Sequence, residues 1–284
     1  MMDAIVSEHL PAYLRPAKVS VMLIQLLLLA AGAFVLLCLL LYFRQDGIIF
    51  FPGPNDPLLV RQQQARRVQI KSPGATLEGW WIDNPSADNE RVILYFGGNG
   101  EDVLYTAATA PLFAAKSLLF VNYRGYGRTP GKPGQAALYE DGLAIYEYAI
   151  QRGVRPEHIV VMGHSLGSGV ASMLAGRLPI GGAILITPFD SLASVAAARF
   201  SFVPVRWLLR HPFPSTDWAK QSKTPVLILS AEHDATIPPV HAQRLFDAWA
   251  GPKQIHQLAG MGHNDIEQHP DYYPFINEFL KKVN

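Results

Sequence analysis

Hydrophobic and polar positions fall into two regimes along this chain. From Val19 to Phe43 the residues are apolar almost without interruption, with no charge and only Ser20 and Gln25 clearly polar. A helix over this run rises ~1.5 Å per residue and reaches about 37 Å, enough to cross a hydrocarbon core of about 30 Å with some tilt. The pattern predicts a transmembrane helix over 19–43, preceded by an N-terminal tail, 1–18. A cleavable signal peptide would have a shorter apolar stretch, whereas here it continues to Phe43 past the small-x-small triplet Ala31-Gly32-Ala33. Leu36 and Leu37 stand before Cys38 where a lipoprotein site needs small residues, and a core helix of this length without any charge would be unusual.

Beyond the run the pattern changes. Residues 44–59 contain the turn-rich stretch Phe51 to Pro57 (FPGPNDP) and read as a linker. From Val60 to Asn284 short apolar runs alternate with longer helical patterns, which predicts one domain over 60–284. Strands are expected at Arg67 to Ile70, Leu77 to Ile82, Val92 to Phe96, Leu118 to Asn122, Ile159 to Met162, Ala183 to Ile186, Val226 to Ser230 and Gln254 to Leu258. Helices are expected at Asp102 to Ala114, Ala136 to Arg152, Ser165 to Arg177, Val240 to Trp249 and Tyr272 to Lys282. The later strand candidates are apolar throughout, as strands covered on both faces must be. An opening strand pair followed by strand–helix alternation predicts an α/β fold: a mostly parallel sheet with helices on both faces and reactive groups in loops at the strands' carboxyl ends. The interval 187–225 is long and carries Phe189, Phe200, Phe202, Trp207, Phe213 and Trp218, so it is expected to form a lid or binding segment, with an ordinary packing excursion as the alternative.

Charge adds little. The formal net charge of +1 and the absence of a basic stripe exclude a nucleic-acid partner, and Cys38, the one cysteine, lies inside the apolar run and forms no internal disulfide. Arg15 and Lys18 before the run, against Arg44 and Asp46 after it, lean towards a cytoplasmic N-terminus and a domain on the non-cytoplasmic side.

The sharpest chemical feature is Gly163-His164-Ser165-Leu166-Gly167, a G-x-S-x-G pentapeptide between a strand candidate and a helix rich in small residues. A strand-to-helix turn of this kind exposes the serine hydroxyl above the sheet edge. A hydroxyl is a weak nucleophile near neutral pH and needs a base, itself oriented by an acid. Asp234 and His263 each follow a later strand candidate and complete the chain order Ser, Asp, His. Glu232 and Asp190 are the rival acids, and Asp265 lies too close to His263 in sequence to approach its ring from the correct side. Developing negative charge on the substrate oxygen needs backbone donors. One is the N–H of Leu166, and the other comes from the loop Gly97-Gly98-Asn99-Gly100-Glu101, at Asn99 with Gly98 as the alternative. The remaining histidines lack metal-ligand spacing, so neither metal nor cofactor is expected.

Taken together, YFGGNGE (95–101), NYRGYG (122–127), GHSLG (163–167), TPFDS (187–191), Asp234 and GHN (262–264) resemble the α/β-hydrolase superfamily. Within it the match is closest to its membrane-anchored, serine-aminopeptidase-like and acyl-protein-thioesterase-like branch. The resemblance spans roughly Phe50 to Lys281. It implies the α/β-hydrolase fold, Ser165, Asp234 and His263 as a triad, and the Asn99 and Leu166 amides as the oxyanion hole. The chain departs from the family at Gly97, where many relatives carry histidine. The expectation is a serine hydrolase acting on an ester or thioester, with a small-molecule or lipid-like acyl substrate and a membrane as its partner. The alternatives are a serine exopeptidase and a non-catalytic, membrane-tethered binding protein.

Overall fold

A computed structural model describes residues 16 to 283, and the chain divides after Gln45 into two compact units. Helix α1 (Pro16–Ile49) runs from before the apolar run to beyond it, and its residues up to Gln45 belong to the first unit. Its apolar side chains are exposed, Leu29 and Phe43 at 71% each, and it is long and apolar enough to cross a membrane. The expected span 19–43 lies inside this helix, and the expected tail is described only from Pro16. The helix continues past Phe43 and through Gly47, and no proline intervenes before Pro52.

The second unit holds a single eight-stranded sheet. After α2 (Pro57–Gln62) come β1 (Arg67–Ser72), β2 (Ala75–Asp83), β3 (Val92–Phe96), α3 (Val103–Ala108), β4 (Ser117–Val121), α4 (Gln135–Gln151), β5 (Ile159–His164) and α5 (Leu166–Arg177). Then follow β6 (Gly182–Ile186), α6 (Leu192–Arg199), α7 (Val205–Leu208), α8 (Ser215–Ala219), β7 (Val226–Ala231), α9 (Pro239–Ala248), β8 (Lys253–Leu258) and α10 (Tyr272–Lys282). The strand order is β1-β2-β4-β3-β5-β6-β7-β8, with β1 and β2 antiparallel to their neighbours and the rest parallel. Alternate residues of the central strands enter two separate cores. Val92, Leu94 and Phe96 of β3 face one, and Ile93 and Tyr95 face the other. Two-sided burial explains why these strands read as continuous apolar runs.

Helix α3 is shorter than the pattern predicts. The chain passes into a single 3-10 turn at Ala110–Leu112, where Pro111 lacks the N–H that an α-helix would use. The 44–59 segment also differs from a free linker. Phe50 is 2% exposed, Asn55 is 8% exposed, and Gly53 accepts a hydrogen bond from the Gly127 N–H at 2.8 Å. Turn-rich composition signals an irregular backbone, and here that irregular backbone is laid against the domain. The 187–225 interval carries α6, α7 and α8. Thr187 and Phe213, at φ +44° and +40°, adopt a left-handed conformation that costs a non-glycine residue about 1–3 kcal/mol.

Candidate active site

The sheet topology sets the site. The chain runs from β3 outward to β4 and returns on the other side at β5, so β3 and β5 are neighbours, with Phe96 paired to Gly163. This is a switch point, and the loops leaving the two strands diverge to form a crevice. The loop after β5 is a single strained residue, Ser165 at φ +49° and ψ −112°. Its N–H donates to the Ile186 carbonyl at 2.9 Å, and α5 begins at the next residue. The flanking glycines are required by space. A Cβ on Gly163 would lie 2.4 Å from the Gly167 carbonyl oxygen, and one on Gly167 would lie 2.0 Å from that of Phe96.

The residues singled out from the sequence converge on this turn. His263 Nε2 lies 2.9 Å from Ser165 Oγ, and His263 Nδ1 lies 2.6 Å from Asp234 Oδ2. Asp234 is 5% exposed, and its other oxygen accepts from the N–H groups of Thr236 and Ile237 at 2.9 and 2.7 Å. An ionised carboxylate only accepts, so Nδ1 carries the imidazole proton and Nε2 presents its lone pair to the serine hydroxyl. The rival acids are engaged elsewhere. Glu232 accepts from the Gly260 N–H, Asp265 from the Gly262 N–H, and Asp190 is paired with His241 Nδ1 at 2.8 Å and with Ser194.

The loop after β3 lies beside the turn. The Gly98 N–H donates to Glu101 Oε2 at 2.6 Å, whereas the Asn99 N–H has no acceptor among the described residues. The Leu166 N–H opens a helix and has no carbonyl four residues back within that helix. The NYRGYG segment buttresses this loop: the Tyr123 hydroxyl donates to the Gly97 carbonyl at 2.9 Å, and the Tyr126 hydroxyl donates to Asn99 Oδ1 at 2.7 Å. Burial pushes the Tyr126 phenol up to about 12, so it remains a protonated donor at neutral pH.

One pair in the site lies outside the expectations. His164 Nδ1 is 3.3 Å from Glu101 Oε2, His164 Nε2 is 3.4 Å from the His263 carbonyl, and the two imidazoles stack with centroids 5.7 Å apart. Burial alone would raise the Glu101 pKa, but hydrogen bonds from His164, Thr106 and the Gly98 N–H hold it down to about 2. Burial would likewise lower that of His164, and Glu101 outweighs it and raises it. Both shifts favour the charged forms, and the pair links the β3 loop, the Ser165 turn and the His263 loop. A raised histidine stabilises most below its unfolded pKa and loses that contribution as pH rises through its folded value. A depressed glutamate contributes above its unfolded pKa and loses that as pH falls. Glu101→Gln should accordingly destabilise most between about pH 5 and 6.5, with the difference shrinking on both sides. Urea unfolding across pH 3–9 checks this; a pH-independent difference would rule out the ion pair. Nothing local in the sequence marks His164, whose partner Glu101 lies 63 residues away and is brought to it by the fold.

Among the described residues no group of three or more His, Cys, Asp or Glu side chains is placed to hold a metal ion.

A mostly parallel eight-stranded sheet with a serine on a strained turn after its central strand defines an α/β-hydrolase fold. The alpha/beta hydrolase family matches residues 96–219. An uncharacterised protein of Mycobacterium tuberculosis is 33% identical over 233 residues, 80% of this chain and 83% of its own. The bem46 protein of Schizosaccharomyces pombe is 28% identical over 252 residues, 84% of this chain and 82% of its own. Among solved structures, an esterase of Pyrococcus furiosus superposes with a TM-score of 0.64 at 17% identity, over 83% of this chain and 98% of the esterase. The chain belongs to the α/β-hydrolase family.

Proposed function

We propose that the chain is a membrane-anchored serine hydrolase that cleaves a carboxylic ester or thioester bearing a lipophilic acyl group. The observation that carries this reading is the continuous hydrogen-bonded relay from Asp234 Oδ2 through His263 to Ser165 Oγ, at 2.6 and 2.9 Å. In the first step Ser165 Oγ attacks the carbonyl carbon as its proton passes to His263 Nε2. Asp234 holds the tautomer and stabilises the imidazolium. Negative charge gathers on the carbonyl oxygen, where the Asn99 and Leu166 amides are free to donate, each such donor being worth about 10²–10³ in rate. His263 returns the proton to the departing alcohol or thiol, and water repeats the sequence to release the acid.

Esters and thioesters fit better than peptides. An exopeptidase needs an unpaired acid for the substrate amine, and the acids that follow β3 and β6 are committed: Glu101 to His164, Thr106 and Gly98, and Asp190 to His241 and Ser194. The lipophilic preference is supported by the apolar helix and by the 187–225 segment read as a lid, which holds Trp207 89% exposed and Phe202 65% exposed. A panel of p-nitrophenyl esters, acyl thioesters and aminoacyl anilides tests the proposal. Ester or thioester turnover is expected, rising with acyl length, together with fluorophosphonate labelling at Ser165. Preferential cleavage of the anilides would overturn it.

A further inference from the structure

The residues that follow the apolar run are bonded to the β3 loop through two of its side chains, Asn99 and Asp102. Asn99 Nδ2 donates to the Ile49 carbonyl at 2.6 Å, and Asn99 Oδ1 accepts from the Phe51 N–H at 2.9 Å as well as from Tyr126. Gly100, at φ +76°, lies against the Phe51 carbonyl, 3.5 Å from where a Cβ would be. Downstream, Asn55 Nδ2 and the Asp56 N–H both reach the Asp102 carboxylate, at 2.5 and 2.6 Å, and Asn55 pairs with Asn122 in the buried base of the NYRGYG turn. Asp102 also caps α3, accepting from the Leu104 N–H at 3.0 Å. The β3 loop is thus clasped at Asn99 and Gly100 by Ile49 and Phe51, and at Asp102 by Asn55 and Asp56.

We propose that residues Ile49 to Asp56 form a strap that positions the oxyanion donor, so that the juxtamembrane segment is a working part of the active site. The inference rests on the serine-hydrolase reading above. With both the nitrogen and the oxygen of the Asn99 side-chain amide engaged, its backbone cannot turn without breaking bonds to Ile49, Phe51 and Tyr126, and its N–H stays aimed as the β3 loop sets it. A donor fixed before reaction costs no reorganisation when charge develops. Two properties make the arrangement specific. The strap bonds through main-chain atoms of Ile49 and Phe51, so its grip depends on their backbone path, and the Phe51 side chain is itself 58% exposed.

The test uses the full chain in lipid nanodiscs, with Asn99→Ala, which removes the clasp from the loop side, and Phe51→Pro, which removes the Phe51 N–H without uncovering a buried side chain. Three quantities are read: kcat and KM on a p-nitrophenyl ester, the Kd of an acyl trifluoromethyl ketone that mimics the tetrahedral oxyanion, and hydrogen exchange over residues 97–101. Both variants should lose about 10–100-fold in kcat and in ketone affinity, keep KM within about threefold, and exchange faster in that loop. If kcat and loop exchange stay within about twofold of the unsubstituted chain, the strap has no positioning role. A fall in kcat that follows a lower Tm without faster loop exchange would equally overturn it. Should Ser165→Ala retain turnover, the nucleophile assignment fails, while loop exchange still decides whether the strap holds the loop.

Discussion

Ser165→Ala should lower kcat on a p-nitrophenyl ester by about 10⁴–10⁶-fold while leaving the fold intact. The substitution removes the proposed attacking atom and little else, since the hydroxyl's one side-chain hydrogen bond among the described residues is with His263 Nε2 and alanine demands no more space. His263→Ala should cost a similar factor, and the double variant little more, because serine and histidine act on the same proton in the same step. The readout is steady-state hydrolysis alongside fluorophosphonate labelling and a thermal melt. Ser165→Ala with a tenth or more of the original rate would place the nucleophile elsewhere.

Gly167→Ala should damage the domain severely. Its Cβ would stand 2.0 Å from the Phe96 carbonyl oxygen and 2.6 Å from the Phe96 carbonyl carbon, both backbone atoms that no rotamer change can move aside. Relief requires α5 to withdraw from the end of β3, which opens the gap between the Leu166 and Asn99 amides. Overpacking of this severity costs about 3 kcal/mol or more, and for a domain of this size that lowers Tm by roughly 6–12 °C. Differential scanning calorimetry measures the loss. A Tm within about 2 °C of the parent would mean that the helix start is softer than the contact implies.

Much of the fold is legible in the sequence because its signals are local. Each strand candidate from Arg67 onward coincides with an observed strand to within two residues at either end, and the pentapeptide announces its own turn through the two glycines that the turn needs. Ser165, Asp234 and His263 are readable because each follows a strand, and a parallel sheet carries all such loops to one edge. What escapes is settled by pairing across the fold. Glu101 resembles a free loop acid until Tyr95, Thr106, Gly98 and His164 surround it. The stretch FPGPNDP carries every mark of a flexible connector, and only the positions of Asn99, Asp102 and Asn122, some fifty to seventy residues away, turn it into ordered structure. Helix α1 overruns its apolar stretch for a related reason: hydropathy marks where lipid ends, whereas a helix ends where the backbone meets a breaker.

The ordered path from Ile49 to Asp56 bears on how this chain can be cut and recombined. A protease acting between Phe43 and Asp46 would release a body that keeps its clasp on Asn99, whereas a nick after Asp56 would free one that has left it behind. For shedding, and equally for any fusion that exchanges the anchor for another, the natural joint lies at Gln45–Asp46, upstream of the turn-rich stretch that looks like the hinge.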